Sequence, residues 1–385
     1  MDYGFSGSDY IAAREICDND NSGDLVPGRI IDCRREQYKI ICEYGEVQAE
    51  LKGSFYYDLK EGEGMPVIGD FVLLIYNRQG PSLISAILPR RSKFSRADFS
   101  GHAEAYVKNV REQVIAANFD YVFILSSLNH DLNPGRLARY LTVSWQSGAF
   151  PVIVLSKADL VDTSAGDPDN DPGNVQGGRN LNGKIAEVRK LASSSMVVRE
   201  VPVIPVSSKT GYGIGDLLPF LEKRKTIVLL GSSGVGKSSL LNRLSGEELM
   251  EVKAIRDDDS RGRHTTTHRQ LFRLASGALV IDTPGLRELG LWDTGDGLDL
   301  VFTEVEELFP LCRFSNCTHE NEPGCAVLAA LEDGRLSPLQ WKNYRLQKKE
   351  AAFVEDHSAY LKQKREFHKA LARMNRARQK GNDEF

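Results

Sequence analysis

Long apolar runs are missing from this chain of 385 residues, and no uninterrupted stretch approaches the roughly 20 residues that a bilayer-spanning helix needs. The N-terminus also lacks a basic stretch followed by an apolar one, so we expect no secretory signal, no membrane and a cytoplasmic location. Cysteine is scarce. Of six in all, Cys312, Cys317 and Cys325 crowd around His319, and in an intracellular chain that clustering argues for metal before disulfide. A positive excess is absent too: 49 Lys and Arg face 53 Asp and Glu, net −4, so no overall field advertises nucleic acid.

Locally the charge is uneven. Arg34 and Arg35, and Arg90, Arg91, Lys93 and Arg96 around Phe94, form basic clusters beside an aromatic; from Arg335 to Lys380, 13 Lys and Arg face 4 Asp and Glu. Such regions suit docking on RNA and equally suit solvated helix faces. Residues 1–24 carry six acidic residues against one Arg and read as a flexible tail.

The stretch that organises the chain is Thr226 to Asn242. Ile227 to Leu230 form a buried-strand run, Gly231 to Ser238 fit GxxxxGK[ST], and Ser239 onward reads as a helix. Glycines at 231, 234 and 236 let the backbone N–H groups of Ser232, Ser233, Val235 and Ser239 turn toward phosphate oxygens, and the helix start adds its positive end. Lys237 can reach the β- and γ-phosphates, and Ser238 can place a hydroxyl on Mg²⁺.

At this length we expect two or three domains. Residues 25–95 contain five short strands separated by turn residues, which suits a small OB-like barrel, although an SH3-like barrel or small sandwich would read similarly. Residues 96–111 read as a connector, followed by a helical piece near Val114-Ile115-Ala116. Strands then alternate with helices, as in a parallel sheet covered on both faces. Residues 162–183, rich in Asp, Gly, Asn and Pro, read as a surface insertion.

Two segments at strand ends point to guanine. Ser156-Lys157-Ala158-Asp159 resembles the base motif in which an Asp accepts from guanine N1–H and the 2-amino group while the Lys stem covers the ring. Ser207-Ser208-Lys209 resembles the segment whose backbone N–H meets guanine O6. After the phosphate loop, Gly262-Arg263-His264-Thr265-Thr266-Thr267 stands where a first switch belongs, with Thr266 expected on Mg²⁺ and the γ-phosphate and Thr265 as its rival. Asp282-Thr283-Pro284-Gly285 stands where a second belongs: Asp282 would hold Mg²⁺ through water, and the Gly285 N–H would sense the γ-phosphate. Leu286 follows where many GTPases carry the Gln that orients the attacking water. Another group must take that task, and His264 is the nearest candidate, with a solvated switch histidine as the alternative. The catalytic set is therefore Lys237, Thr266 and His264.

Both base segments precede the phosphate loop, the reverse of the usual order, so the domain must be circularly permuted. The second switch then leads out of it into the C-terminal region. There Cys312, Cys317, His319 and Cys325, spaced Cx4CxHx5C, suit a closed tetrahedral Zn²⁺ site with a structural role; ordinary buried thiols are the alternative.

Taken together, the barrel, SKAD, SSK, GSSGVGKSS, GRHTTT, DTPGLRELGLW and the Cys/His cluster resemble the ribosome-small-subunit-dependent GTPase A family of bacteria over roughly residues 25–375. The resemblance implies GTP hydrolysis stimulated by the 30S subunit, a role in its late maturation, zinc on those four ligands, and contact of the basic C-terminal helices with 16S rRNA, where Trp341, Tyr344 and Tyr360 offer stackable faces. The expected architecture is multidomain: a flexible tail (1–24), an OB-like β-barrel (25–95), a central α/β circularly permuted P-loop GTPase domain (96–295) and a zinc-binding helical module (296–385). We expect a monomer that binds GTP and GDP. Alternatives are a GTP-dependent RNA-binding switch in which hydrolysis only resets the protein, and an ATPase.

Overall fold

The computed structural model describes residues 2–19, 25–34, 37–53, 64–98, 111–128, 132–161, 181–193, 200–246, 269–282 and 295–352. Alternating side chains build the first unit. In β2 (Gln37–Cys42) every second residue is buried, and together with β1 (Leu25–Arg34), β3 (Gly45–Leu51), β4 (Phe71–Ile75) and β5 (Ser82–Ile87) it encloses Ile30, Tyr38, Ile40, Val72, Leu74 and Ile84. Pairing runs β1-β2-β3-β5-β4 and closes from β4 back to β1, with only β3 and β5 parallel among these pairs. This is the five-stranded OB-like barrel that the turn spacing predicts.

The N-terminus departs from the expected flexible tail. Gly7–Asn19 forms a helix, α1, and Phe5 and Ala13 are buried with Phe71, Leu73 and Leu88 of the barrel. Asp2 reaches the other way, within salt-bridge distance of Lys223, Arg224 and Arg273. Few apolar residues signal this packing in the sequence; the Phe5 ring lies edge-on to Phe71, and Ile16 and Cys17 pack against the same cluster.

The expected helical piece near Val114 is instead a strand. β6 (Lys93–Asp98) and β7 (Arg111–Ala117) form an antiparallel pair, so the short apolar run around Val114 extends along a partner strand. The parallel sheet follows: β8 (Tyr121–Ser127), α2 (Pro134–Gln146), β9 (Phe150–Ser156), α3 (Leu181–Ser193), β10 (Val203–Pro205), β11 (Thr226–Leu230), α4 (Lys237–Ser245), β12 (Arg269–Arg273) and β13 (Leu279–Asp282). Because α3 begins at Leu181, the expected insertion ends by 180, and residues 162–180 lie outside the described residues. Ile214–Phe220 is a 3₁₀ helix that contains Pro219. Strand order is β10-β9-β8-β11-β13-β12, all parallel except β12 against β13.

Barrel and α/β unit share one sheet, because β1 also pairs antiparallel with β12. Arg29, fully buried on β1, crosses the same junction. Its guanidinium donates to the carbonyls of Tyr3, Gly69 and Asn118 and to Thr226 Oγ1, and it lies 4.7 Å from the Phe71 ring centre. Burial pushes its pKa down to about 9, which still leaves it charged at neutral pH.

The basic cluster after the barrel is partly consumed by structure. Arg90 pairs with the buried Asp70 at 2.7 Å, Arg91 lies 3.7 Å from Asp9, and Lys93 lies 2.6 Å from Glu112. Those cations act first as internal ties.

The C-terminal part comprises α5 (Gly295–Val301), α6 (Thr303–Glu306), a 3₁₀ turn at Phe309–Leu311, α7 (Ala326–Glu332) and helical residues 338–352. It packs on α2, where Arg139 meets Glu350 at 2.6 Å. Trp341 and Tyr344 turn inward: Tyr344 is 3% exposed, stacks on Trp341 and donates to Glu306. Tyr344 is buried, Trp341 is half-buried against it, and Tyr360 lies outside the described residues. Among the described residues no helix is long and apolar enough to cross a membrane.

Candidate nucleotide site and metal cluster

The phosphate loop leaves β11 and ends at the start of α4. Gly231 packs against β8 so closely that a Cβ would sit 2.7 Å from the Leu125 carbonyl, and Gly236 has φ +102°, a conformation only glycine adopts without strain. Lys237 Nζ donates to the carbonyls of Gly231 and Ser232, both at 2.6 Å, which holds the ammonium over the loop. Ser238 and Ser239 follow in the first turn of α4, and Ser232, Ser233 and Gly234 form the outer turn of the loop.

The base-side segments arrive at the same place from the other direction. Ser156, 4% exposed at the end of β9, donates from Oγ to the Val235 carbonyl of the phosphate loop at 2.6 Å. Lys157 adopts a left-handed conformation (φ 59°) that turns the chain sharply, so Asp159 stands exposed just beyond. Ser207 Oγ, fully buried, donates to Asp159 Oδ1 at 2.7 Å and accepts from the Thr210 N–H. Backbone bonds from Val206 N to Leu155 O and from Ala158 N to Val206 O tie the two segments together, with Ser208 and exposed Lys209 continuing the second. The phosphate loop and both base-side segments thus meet at the C-terminal ends of parallel strands of one sheet, with β8 between β9 and β11, where such sheets bind ligands.

Asp282 closes β13 on the same edge. Burial raises its carboxyl pKa, and the Lys237 ammonium opposes the rise. A half-buried carboxylate beside the loop lysine, with Ser238 at the helix start, fits a Mg²⁺ ion bound to a triphosphate. His264, Thr265, Thr266, Gly285 and Leu286 lie outside the described residues.

The four ligand atoms of Cys312, Cys317, His319 and Cys325 lie within 4.8 Å of one another. Cys312 Sγ and Cys325 Sγ are 4.0 Å apart, and each is 3.5 Å from His319 Nδ1. Tetrahedral zinc at ordinary bond lengths requires S···S edges of about 3.8 Å and S···N edges of about 3.6 Å, so the donor set fits such an ion. Burial raises the Cys312 thiol, but N–H groups of Ala326 and Val327 at the start of α7, with the neighbouring thiols, outweigh it and bring the pKa below the usual value. Burial lowers the His319 pKa, favouring the neutral imidazole that metals bind. Phe309 stacks on that ring at 4.4 Å, and Trp341 meets it edge-on at 6.0 Å. Sequence reasoning missed Glu322, whose carboxylate accepts from the backbone N–H groups of Thr318, Glu320 and Asn321 and so fixes the ligand loop. A single acid in a polar loop carries no signal of that role.

Strand order, phosphate loop and base-side segments define a P-loop GTPase fold whose parts run in permuted order. Two solved structures share it: YjeQ from Thermotoga maritima, with TM-score 0.58 at 24% identity over 86% of this chain and 99% of that one, and YloQ, described as a circularly permuted GTPase, with TM-score 0.56 at 23% identity over 87% and 97%. The RsgA GTPase family profile matches residues 87–292. A curated relative, small ribosomal subunit biogenesis GTPase RsgA 1 of Listeria innocua, is 42% identical over 326 residues, 85% of this chain and 84% of its own. The chain belongs to the RsgA GTPase family, the one its motifs resemble.

Proposed function

We propose that this protein hydrolyses GTP to GDP and phosphate on the small ribosomal subunit, acting late in 30S maturation by nucleotide-dependent binding to and release from 16S rRNA. The observation that carries the reading is the Ser156 to Val235 bond at 2.6 Å, which joins the base motif to the phosphate loop. Family membership supplies the class of reaction, and the name of the Listeria relative supports the subunit as partner.

In this reading Asp159, held by Ser207, accepts from guanine N1–H and the 2-amino group, and Lys157 covers the ring. The N–H groups of the phosphate loop, from Ser232 to Ser239, cradle the phosphates. Lys237 moves from the loop carbonyls to the β- and γ-phosphate oxygens. Ser238, Thr266 and Asp282 would hold Mg²⁺, which when bound neutralises charge developing on the transferred phosphoryl group. Gly285 would read the γ-phosphate. With Leu286 unable to orient water, His264 is the group we assign to that task, and unassisted turnover is slow. Cys312, Cys317, His319 and Cys325 would hold one structural Zn²⁺. The protein works as a cytoplasmic monomer divided near residues 95 and 295.

The deciding experiment measures GTP turnover with and without purified small subunits. Acceleration by at least about tenfold supports the reading, and equal rates would remove the subunit as partner.

A further inference from the structure

Three neighbouring strands place Asp282, Gln270 and Asp32 in one row. Gln270 of β12 is the register partner of Asp282 on β13 and also of Asp32 on β1. Residues directly opposite each other share a face of the sheet, so the three side chains stand side by side. The flanking residues fix which face this is. Phe272 and Val280, two residues along from Gln270 and Asp282, pack with Leu240 and Leu241 of the phosphate-loop helix, whereas Leu271 and Ile281 belong to the opposite core.

The row is bonded at its barrel end. Gln270 Nε2 donates to Asp32 Oδ2 at 3.5 Å, and Arg34 Nε donates to the same oxygen at 3.3 Å. Asp32 is 8% exposed, and its Oδ1 is buried with no partner among the described residues. One oxygen of this buried carboxylate takes two long contacts, and losing the Gln270 donor would leave Arg34 alone on it among the described residues. Past the row lies a cavity of roughly 490 Å³ lined by Asp32, Arg34, Gln37, Lys39, Glu50 and Gln270, so groups in the barrel's solvent-facing groove reach the same carboxylate.

From this we infer that Gln270 and Asp32 are positioning residues for Asp282, coupling the barrel to the Mg²⁺ site along one row of the shared sheet. The inference rests on the reading of Asp282 as a Mg²⁺ carboxylate. β12 is braced at both ends, at Gln270 by Asp32 and at Arg273 by Asp2, which lies 3.5 Å away. A displacement of β1 therefore reaches Asp282 without passing through solvent-exposed loops. Coupling of this kind is reciprocal: Mg²⁺ and nucleotide at Asp282 stiffen the barrel seam, and a barrel ligand changes Mg²⁺ affinity by the same factor.

The test uses the full-length protein and measures release of a fluorescent GDP as a function of free Mg²⁺. Gln270→Leu and Asp32→Asn are each expected to raise the Mg²⁺ concentration that half-slows release by roughly threefold to tenfold, less than loss of a direct outer partner of a metal ligand typically costs. The double variant should show no more than the larger single effect, since both changes break one link. Cys33→Ala, on the same strand but the other face, should leave the value unchanged. An equal shift in Cys33→Ala would mean general loosening and would overturn the row. Asp282→Asn separates the two claims. If it leaves Mg²⁺ dependence intact, the reading of Asp282 fails; if it shifts the dependence while Gln270→Leu and Asp32→Asn do not, only the row fails. A second readout needs no variant: amide exchange in β1 of the wild-type protein should slow when Mg²⁺ and a non-hydrolysable GTP analogue are added, and unchanged exchange would refute the coupling.

Discussion

In the proposed function, a single carboxylate at Asp159 decides between purines. Its Oδ1 is held by Ser207 at 2.7 Å, and in that proposal Oδ2 would meet the base. Asp159→Asn replaces an acceptor with a donor facing two guanine donors, and the expected result is a loss of GDP affinity of about 2–3 kcal/mol, or 30- to 150-fold, in a fluorescent-nucleotide titration. Xanthosine diphosphate, which carries an acceptor there, should recover part of it. Asp282 shows the opposite tension. Its pKa is raised by burial and only partly restored by Lys237, so the free protein holds a carboxylate that is costly to keep charged. A folded pKa above the unfolded value means that the folded state binds the proton more readily, so this residue's contribution to stability grows as pH falls toward that pKa. Asp282→Asn should therefore raise the melting temperature of the nucleotide-free protein at neutral pH while weakening Mg²⁺-dependent nucleotide binding. A lower melting temperature would argue against the burial account.

Elements differ in how openly the sequence announces them. The phosphate loop, SKAD and SSK were legible because their chemistry demands fixed residue types at strand ends, and Cx4CxHx5C was legible because its four metal-binding side chains, which meet in space, also fall within fourteen residues. β7 was not. Its run Val114-Ile115-Ala116-Ala117 is apolar without alternation, all four residues are buried, and periodicity cannot tell such a run from a helix; pairing with β6 decides it. α1 was hidden for a different reason, since Ala13, Ile16 and Cys17, with Phe5 just before it, meet the barrel from a segment that carries acidic and small polar residues throughout. Phe309 and Trp341 pack on His319 itself, so the ligand sphere and the aromatic core beneath helical residues 338–352 form one unit. Stripping metal with a strong chelator should expose Trp341, seen as a fluorescence change, and increase amide exchange over 309–352, with the β8, β9 and β11 amides unaffected. Exchange rising equally in those strands would show that the cluster supports the whole protein.

Across the whole molecule, permutation keeps the nucleotide site intact because the sheet order does not depend on where the chain begins. What the sequence did not disclose is that barrel and α/β unit share a strand pairing. The register between β1 and β12 joins residues some 240 positions apart, and nothing local encodes it. Arg29 makes the same point, since four of its acceptors come from four separate segments.

That junction has a bearing on dividing the protein. Cutting the chain near residue 95 would open a raw hydrogen-bonding edge on each piece and leave the Arg29 guanidinium in the first without the Asn118 and Thr226 oxygens in the second. The two pieces should therefore be poorly soluble when produced separately and should recombine into a soluble pair when produced together. Two fragments that were each soluble and monomeric alone would show that the weld is dispensable.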